Sequence, residues 1–380
     1  MLNSFSRKTG EMNHPAQQDD QTISVQEDLW RSSLRFIGPA GTKMTTDNTH
    51  PPASGTAIPH PETVRDFVSD AALKLDPWRP LHPACDRLLL SKPLSDEEMQ
   101  RIAALWNGRP DIEVQLFGYA TPDFEFLRYF PGLQRLNVQT PSIRNIDGLR
   151  HVADSLKEFT LNNTTVRLSL RPVAQCTQLV SLHLQRQTKD FAALASLTGL
   201  NHLGLSGVSL PDLSALLPFA HLHSLFIGFC KPLNLDLLGR FPELQSLHFL
   251  KINNLRDVSA LALARNLVRL ELDWLPHVET LPDLSPLAQL EEVELETRAL
   301  RDISSVAKAP ALRYLGLWDC KSLTPQSFEC LIGHPTLKRL NFGIGRLKDN
   351  DKVAAMFPEE MTQSVSYRIT PRSYLRRPTS

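Results

Sequence analysis

The chain has 380 residues, and its 41 lysines and arginines are matched by 41 aspartates and glutamates, giving a formal net charge of zero. That balance argues against binding nucleic acid or a membrane surface by bulk charge, since both favour basic proteins. No run of 18 apolar residues predicts a membrane-spanning helix, and the opening MLNSFSRKTGEM lacks the apolar core of a secretory leader.

Residues 1–60 are rich in Asp, Gln, Ser, Thr, Pro and His and poor in core formers, which predicts disorder. Met44 is a second candidate start, and Leu29–Ile37 (LWRSSLRFI) is the apolar exception, either a leftover stretch or a short partner-binding helix. Residues 61–110 read as an N-terminal cap. A helix is expected over Pro61–Leu75 from the spacing of Val64, Phe67, Val68, Ala71 and Leu75, with Glu62 and Asp66 near its start. Leu88–Leu90 predicts a short strand. The capping box Ser95-x-x-Glu98 then opens a second helix through Ile102 and Leu105.

From Leu133 onward the phrase Leu-x-x-Leu-x-Leu returns ten times. It starts at Leu133, Leu156, Leu179, Leu200, Leu222, Leu244, Leu267, Leu290, Leu312 and Leu337, in steps of 21 to 25 residues. Ile112–Phe117 is an earlier, degenerate copy. A fixed period in this range signals a solenoid. Side chains alternate along a strand, so the fourth and sixth positions share a face. Those positions are Leu136/Val138, Phe159/Leu161, Leu182/Leu184, Leu203/Leu205, Leu225/Ile227, Leu247/Phe249, Leu270/Leu272, Val293/Leu295, Leu315/Leu317 and Leu340/Phe342, all apolar. One such strand cannot bury its apolar face alone, so coils stack into a parallel sheet. The return segments pair apolar residues three apart (Ile146/Leu149, Phe191/Leu194, Leu284/Leu287, Ile303/Val306), a spacing that suits 3₁₀ or single-turn helices.

In these features the chain resembles the leucine-rich repeat family, in its 22-residue bacterial internalin-like and phosphatase-regulator-like classes. The resemblance covers residues 111–345. It implies an α/β solenoid, a horseshoe with a parallel concave sheet, short 3₁₀ or helical convex segments and a helical N-terminal cap. For function it implies only one of many unrelated binding roles. The ninth position mostly departs from the family's usual Asn or occasional Cys, which only Cys230 and Cys320 match: it reads Pro141, Thr164, Gln187, Val208, Cys230, Ile252, Leu275, Arg298, Cys320 and Gly345. Buried turn amides still need partners, so carbonyls, water or another geometry must supply them. After the repeats, residues 346–362 are expected to cap the C-terminal end, with a helix near Asp349–Met356. Residues 363–380 carry Arg368, Arg372, Arg376 and Arg377 and read as a basic flexible tail: solvated, or touching an acidic partner or nucleic acid.

The outward third, fifth and seventh positions are neutral and polar in the first four full repeats, then change. Gly204, Phe226, His248 and Glu271 are expected to face solvent. Glu271, Asp273, Glu294 and Glu296 form a carboxylate cluster on adjacent strands, bordered by Phe226 and Leu250 on one side and Tyr314 and Trp318 on the other. Like charges held opposite each other destabilise a sheet, so this face is either a solvated acidic surface relieved by Arg269 or the site of a basic partner. Phe229 and Trp274, at the eighth position, can pack at the edge or meet a ligand. A flat sheet encircles a calcium ion poorly, and His183, His202, His223 and His248 lack ligand spacing, so no metal and no cofactor is expected. No catalytic motif is present; Asp319 and Cys320 are the residues an unrecognised enzyme site would have to use. The five cysteines (Cys85, Cys176, Cys230, Cys320, Cys330) form no framework and suggest a reduced, cytoplasmic protein. The resulting expectation is a monomeric, non-catalytic module that binds a protein partner of unknown identity on its concave face, without nucleic acid or membrane. An immunity or antitoxin protein and a host-delivered effector are special forms of it.

Overall fold

The structure is a computed structural model and describes residues 68–69, 81, 85–106, 109–231 and 233–362. The expectations for residues 1–60, for most of the first cap helix and for the tail over 363–380 lie outside the described residues.

Among the described residues, thirteen parallel strands follow one another in sequence order within one sheet. They are β1 Val68–Ser69, β2 Arg87–Leu90, β3 Glu113–Phe117, β4 Arg135–Gln139, β5 Glu158–Asn162, β6 Ser181–Gln185 and β7 His202–Ser206. The rest are β8 Ser224–Gly228, β9 Ser246–Leu250, β10 Arg269–Asp273, β11 Glu292–Glu296, β12 Tyr314–Trp318 and β13 Arg339–Gly343. The repeat length becomes the register: Leu203 lies opposite Leu225, Leu225 opposite Leu247, and Leu247 opposite Leu270. Every fourth- and sixth-position side chain from Leu136 to Phe342 is buried in one continuous core, together with the first leucine of each phrase. Each such side chain contributes about 1.5–3 kcal/mol by leaving water.

The turns explain how the chain manages without the ninth-position asparagine. At the eighth position Gly118, Asn163, Arg186, Gly207, Phe229, Lys251, Trp274 and Asp319 all adopt left-handed backbone, with φ between 49° and 64°. That conformation swings the amide toward the next coil. Gly118 N–H donates to the Gln139 carbonyl at 2.9 Å, and the amides of Arg186, Gly207, Phe229, Lys251 and Trp274 each donate to the last carbonyl of the next strand at 2.8 Å. Hence Val208, Ile252 and Leu275 can be apolar and fully buried at the ninth position. Gln187 does the asparagine's work: its Oε1 accepts from Leu168 N–H at 2.7 Å, and its Nε2 donates to Thr164 Oγ1 at 2.6 Å and the Val166 carbonyl at 3.2 Å. At the last coil the acceptor comes from the closing helix, where buried Asn350 takes Ile344 N–H at 3.0 Å.

On the convex side short 3₁₀ helices replace longer ones, for example Asp147–His151, Phe191–Ser196 and Ser259–Leu263. Several coils enter this side through an aspartate or asparagine that accepts the amide two residues on: Asp212 from Ser214, Asp257 from Ser259 and Asp302 from Ser304, at 2.8 to 2.9 Å. Leu284–Leu287 holds only one turn, closed by Leu287 N–H on the Leu284 carbonyl at 3.0 Å. Pro286 lacks the amide that would extend it.

At the N-terminal end, α1 (Asp96–Trp106) opens on the expected box, with Ser95 N–H donating to Glu98 at 2.9 Å and Glu98 N–H to Ser95 Oγ at 3.2 Å. Its buried Trp106 meets Phe130 edge-on at 5.6 Å. Val68–Ser69 corrects the expectation of helix there: the pair is a strand beside Leu88 and Leu89, because an open parallel edge offers it ladder bonds. At the other end α2 (Leu347–Ala354) and α3 (Glu359–Thr362) follow β13, and α3 packs against that strand. No helix among the described residues is long and apolar enough to cross a membrane.

Candidate functional site

The third, fifth and seventh residues of successive strands form three rows on the open face of the sheet. Glycines in these rows decide how the rings lie. A Cβ at Gly204 would land on the His183 ring, one at Gly228 would come within 2.7 Å of Phe226 Cζ, and one at Gly316 within 2.9 Å of the Tyr314 hydroxyl. The rings therefore fold down over their glycine neighbours. His183 and Phe226 lie 5.6 Å apart, and Phe226 meets His248 edge-on at 5.0 Å. This tiling corrects the expectation of exposure: Phe226 and Glu271 are each 7% exposed and Leu250 4%, Gly204 is also buried, and His248 is mostly covered. These residues do point away from the leucine core, but their neighbours roof them. Burial holds His183 neutral, with its pKa pushed down to about 3.

The register places Glu271 opposite Glu294 and Asp273 opposite Glu296, as the spacing requires. Cations thread the cluster. Arg269 Nε reaches Glu271 at 2.5 Å, and its other nitrogens reach Glu292 at 2.7 Å and Glu294 at 4.0 Å. His248 Nε2 lies 3.0 Å from Asp273, and its Nδ1 3.7 Å from Glu271. Burial lowers the affinity of His248 for its proton, but the Asp273 hydrogen bond and the Glu271 and Asp273 charges outweigh it, so its pKa rises. Burial, then the Glu271 charge, raises that of Glu294. His248, Glu271 and Asp273 bring possible metal-binding atoms within 4.8 Å of one another. Each ring nitrogen already faces its own carboxylate, however, and Arg269 holds the other oxygen of Glu271. The trio satisfies itself as ion pairs.

The C-terminal border is different. The Tyr314 hydroxyl accepts from Asn341 Nδ2 at 3.4 Å, and Arg339 stacks on the Tyr314 ring at 5.2 Å. Burial and the nearby Glu294 charge push the Tyr314 pKa up. Trp318 spans Gly316 and Gly343 and remains 38% exposed. Of the eight residues singled out in the sequence, Asp273, Glu294, Glu296, Tyr314 and Trp318 keep contact with solvent, and Glu292 joins them. The part that Gly204, Gly228 and Gly316 play as seats for the neighbouring rings was missed; glycine at an outward strand position beside an aromatic residue was the available signal.

Beyond the strand ends, Lys251 Nζ sits between the rings of Phe229 and Trp274, at 5.5 and 5.4 Å. A cleft of about 310 Å³ opens there, lined in part by Trp274, Glu296, Arg298 and Asp319. Its charges are largely matched, since Asp319 holds Arg298 at 2.5 Å and Lys321 at 3.2 Å. Cys320 beside it is buried, its thiol pushed up to about 11 by desolvation, the opposite of what a nucleophile needs.

The stacked register, left-handed strand exits and 3₁₀ returns make this chain a leucine-rich repeat solenoid. No family model and no curated protein matches the sequence. Solved structures with a similar chain path include an internalin of Listeria monocytogenes, 19% identical over 71% of this chain and 77% of that one, with a TM-score of 0.49. A leucine-rich repeat protein of Leptospira interrogans is 14% identical over 77% and 97%, with a TM-score of 0.43. A structure of the yeast Rad7 and Elc1 complex is 18% identical over 78% and 77%, with a TM-score of 0.48.

Proposed function

We propose that this chain is a non-catalytic binding module that holds a protein partner with a basic surface on the concave face of its sheet. The carrying observation is Trp318, an exposed indole seated over two glycines beside a strand with three outward carboxylates, Glu292, Glu294 and Glu296. Rigid exposed aromatics beside charge are the composition of binding hot spots. Asp273 and Tyr314 extend the surface, while Phe226, Leu250 and Glu271 support it from below. Neutralising a basic protein, as an immunity or antitoxin protein does, is one form of this activity. Free thiols at Cys85, Cys176, Cys230, Cys320 and Cys330, none in a disulfide, fit a reducing, cytoplasmic setting, and the chain works as a monomer.

The test is affinity capture from the native cells with the wild-type chain, Trp318→Ala and the double variant Glu294→Lys/Glu296→Lys. A protein held by the wild type should be lost from both variants, and its capture should fall between about 50 and 500 mM salt as screening shortens. Equal, salt-independent capture by all three would refute the reading.

A further inference from the structure

We infer that the cleft at the strand exits is an anchor site, which receives a neutral aromatic side chain of the protein partner. The inference rests on the proposed binding face, with which the cleft shares Glu296, and names what the partner must carry.

The shape fits one ring. Trp274 and Asp319 both line the cleft, and they follow β10 and β12 at the eighth position of their coils. Those coils are two strand spacings apart, roughly 10 Å. Thr297, the eighth residue of the coil between them, is buried and does not share their left-handed backbone. The space left open is the cleft of about 310 Å³, at the small end of ligand sites and matched to a single side chain. A flat ring between two walls needs about 7–8 Å, at ordinary contact distance on each face, so one ring enters and a second does not.

Charge selects the kind of side chain. Two cations, Lys251 and Arg298, and two carboxylates, Glu296 and Asp319, line the cleft together with Trp274 and the buried Leu275. A cationic ligand would be repelled by the first pair and an anionic one by the second. A neutral aromatic ring suits both, because its faces are negative and its edge is positive. Asp319 already fixes the planar guanidinium of Arg298, which can then lie on a ring without further ordering. The Lys251 ammonium rests against the Phe229 and Trp274 rings and pairs with no carboxylate among the described residues.

The backbone adds an independent sign. Phe229, Lys251 and Trp274 hold left-handed conformations on three successive coils, with φ of 56°, 54° and 53°. Gly118 and Gly207 make the same turn without the strain that a side chain brings. The fold therefore tolerates a cost here that glycine would remove, and such strain collects at ligand clamps. What it places at the cleft is an indole and the ammonium stacked on it.

The test uses the full chain labelled with 5-fluorotryptophan, whose five indoles give fluorine signals assigned through Trp274→Phe and Trp318→Phe. N-acetyl-phenylalaninamide should move the Trp274 signal to saturation, with a dissociation constant on the order of millimolar. Its cyclohexyl analogue, similar in size but without a π face, should bind about two- to fivefold more weakly. Lys251→Met should weaken the aromatic probe by a similar factor and spare the cyclohexyl one. Equal binding of the two probes, or a Trp274 signal that stays still, would overturn the proposal. So would a shift with acetate or guanidinium but not with the amide, which would make the cleft an ion site. Saturating amide should also displace a protein captured on the wild type; one that stays bound keeps its anchor elsewhere and overturns the proposal too. Failure with the probes leaves the binding reading standing, because no partner is needed there. Capture unaffected by the Trp318 and Glu294/Glu296 variants would instead remove that reading while the Trp274 signal still reports ring binding.

Discussion

Replacing Glu271 by lysine tests whether the charged strands are a bare acidic patch or an internally paired network. The native carboxylate has two basic groups beside it, with Arg269 Nε at 2.5 Å on one oxygen and the His248 Nδ1 at 3.7 Å from the other. At an effective dielectric near 20, contacts of this length carry about 4–7 kcal/mol of Coulomb energy, much of it offset by desolvation. Removing one partner of a buried pair costs about 3–5 kcal/mol. Arg269 retains Glu292 at 2.7 Å, which favours the lower end of that range. A lysine here also faces the Arg269 guanidinium across the same short distance. The expected loss is about 3 kcal/mol, or a melting-temperature drop of about 4 °C for a chain of this size. Glu271→Gln preserves an acceptor for Arg269 and should lose about 1 kcal/mol. Circular dichroism gives the melting curve. Because stacked repeats can unfold in parts, amide exchange over β9–β11 supplies the local reading. Glu294→Lys, at a partly exposed position, should leave β9 protected. A Glu271→Lys protein melting within about 1 °C of the wild type would mean that the carboxylate is solvated and the network is not structural.

Gln187→Leu should cost about 1–3 kcal/mol, because it strands the buried Leu168 amide inside the coil; chemical denaturation measures it. Gly228→Ala should cost about 1–3 kcal/mol by pushing Phe226 off its seat, and the added change Phe226→Leu should recover part of that loss. His183 stays neutral in the fold down to about pH 3, whereas the unfolded chain takes up that proton near pH 6.5, so stability should fall as pH drops below about 6.5. The slope is at most about 1.4 kcal/mol per pH unit, and melts of His183→Gln across that range should lack it. His248 acts in the opposite sense: its raised pKa stabilises the fold below about 6.5, and that contribution is lost as pH rises through the folded value, so His248→Gln should flatten the neutral side of the profile.

The sheet was legible because its pattern is periodic and its cause is local. A leucine every 21 to 25 residues, followed by apolar fourth and sixth positions, leaves one stacking register, and Leu203, Leu225, Leu247 and Leu270 occupy it. The turns were harder because the expected asparagine was sought at one position while its work had been divided. Left-handed residues as bulky as Phe229 and Trp274 are unfavourable alone, and only the acceptor on the next strand makes them worthwhile. That compensation joins two coils and is invisible in either. The recurring Asp-x-Ser at Asp212, Asp257, Asp283 and Asp302 was in plain view, however, and marks entry into the convex turn.

The site shows where alternation stops being informative. Periodicity sorts residues by face, and Phe226, Leu250 and Glu271 do leave the leucine core, but whether an outward side chain meets water depends on the strands beside it. Three neighbours determined it here. Gly204 and Gly228 give up their own side chains so that His183 and Phe226 can lie flat, and Arg269 folds along β10 onto Glu271 instead of reaching outward. Trp318 has the same glycine seats but lacks a cover, because Arg339 on β13 stacks on Tyr314 instead. The exposed indole is therefore a consequence of the last strands, where the tiling runs out of partners.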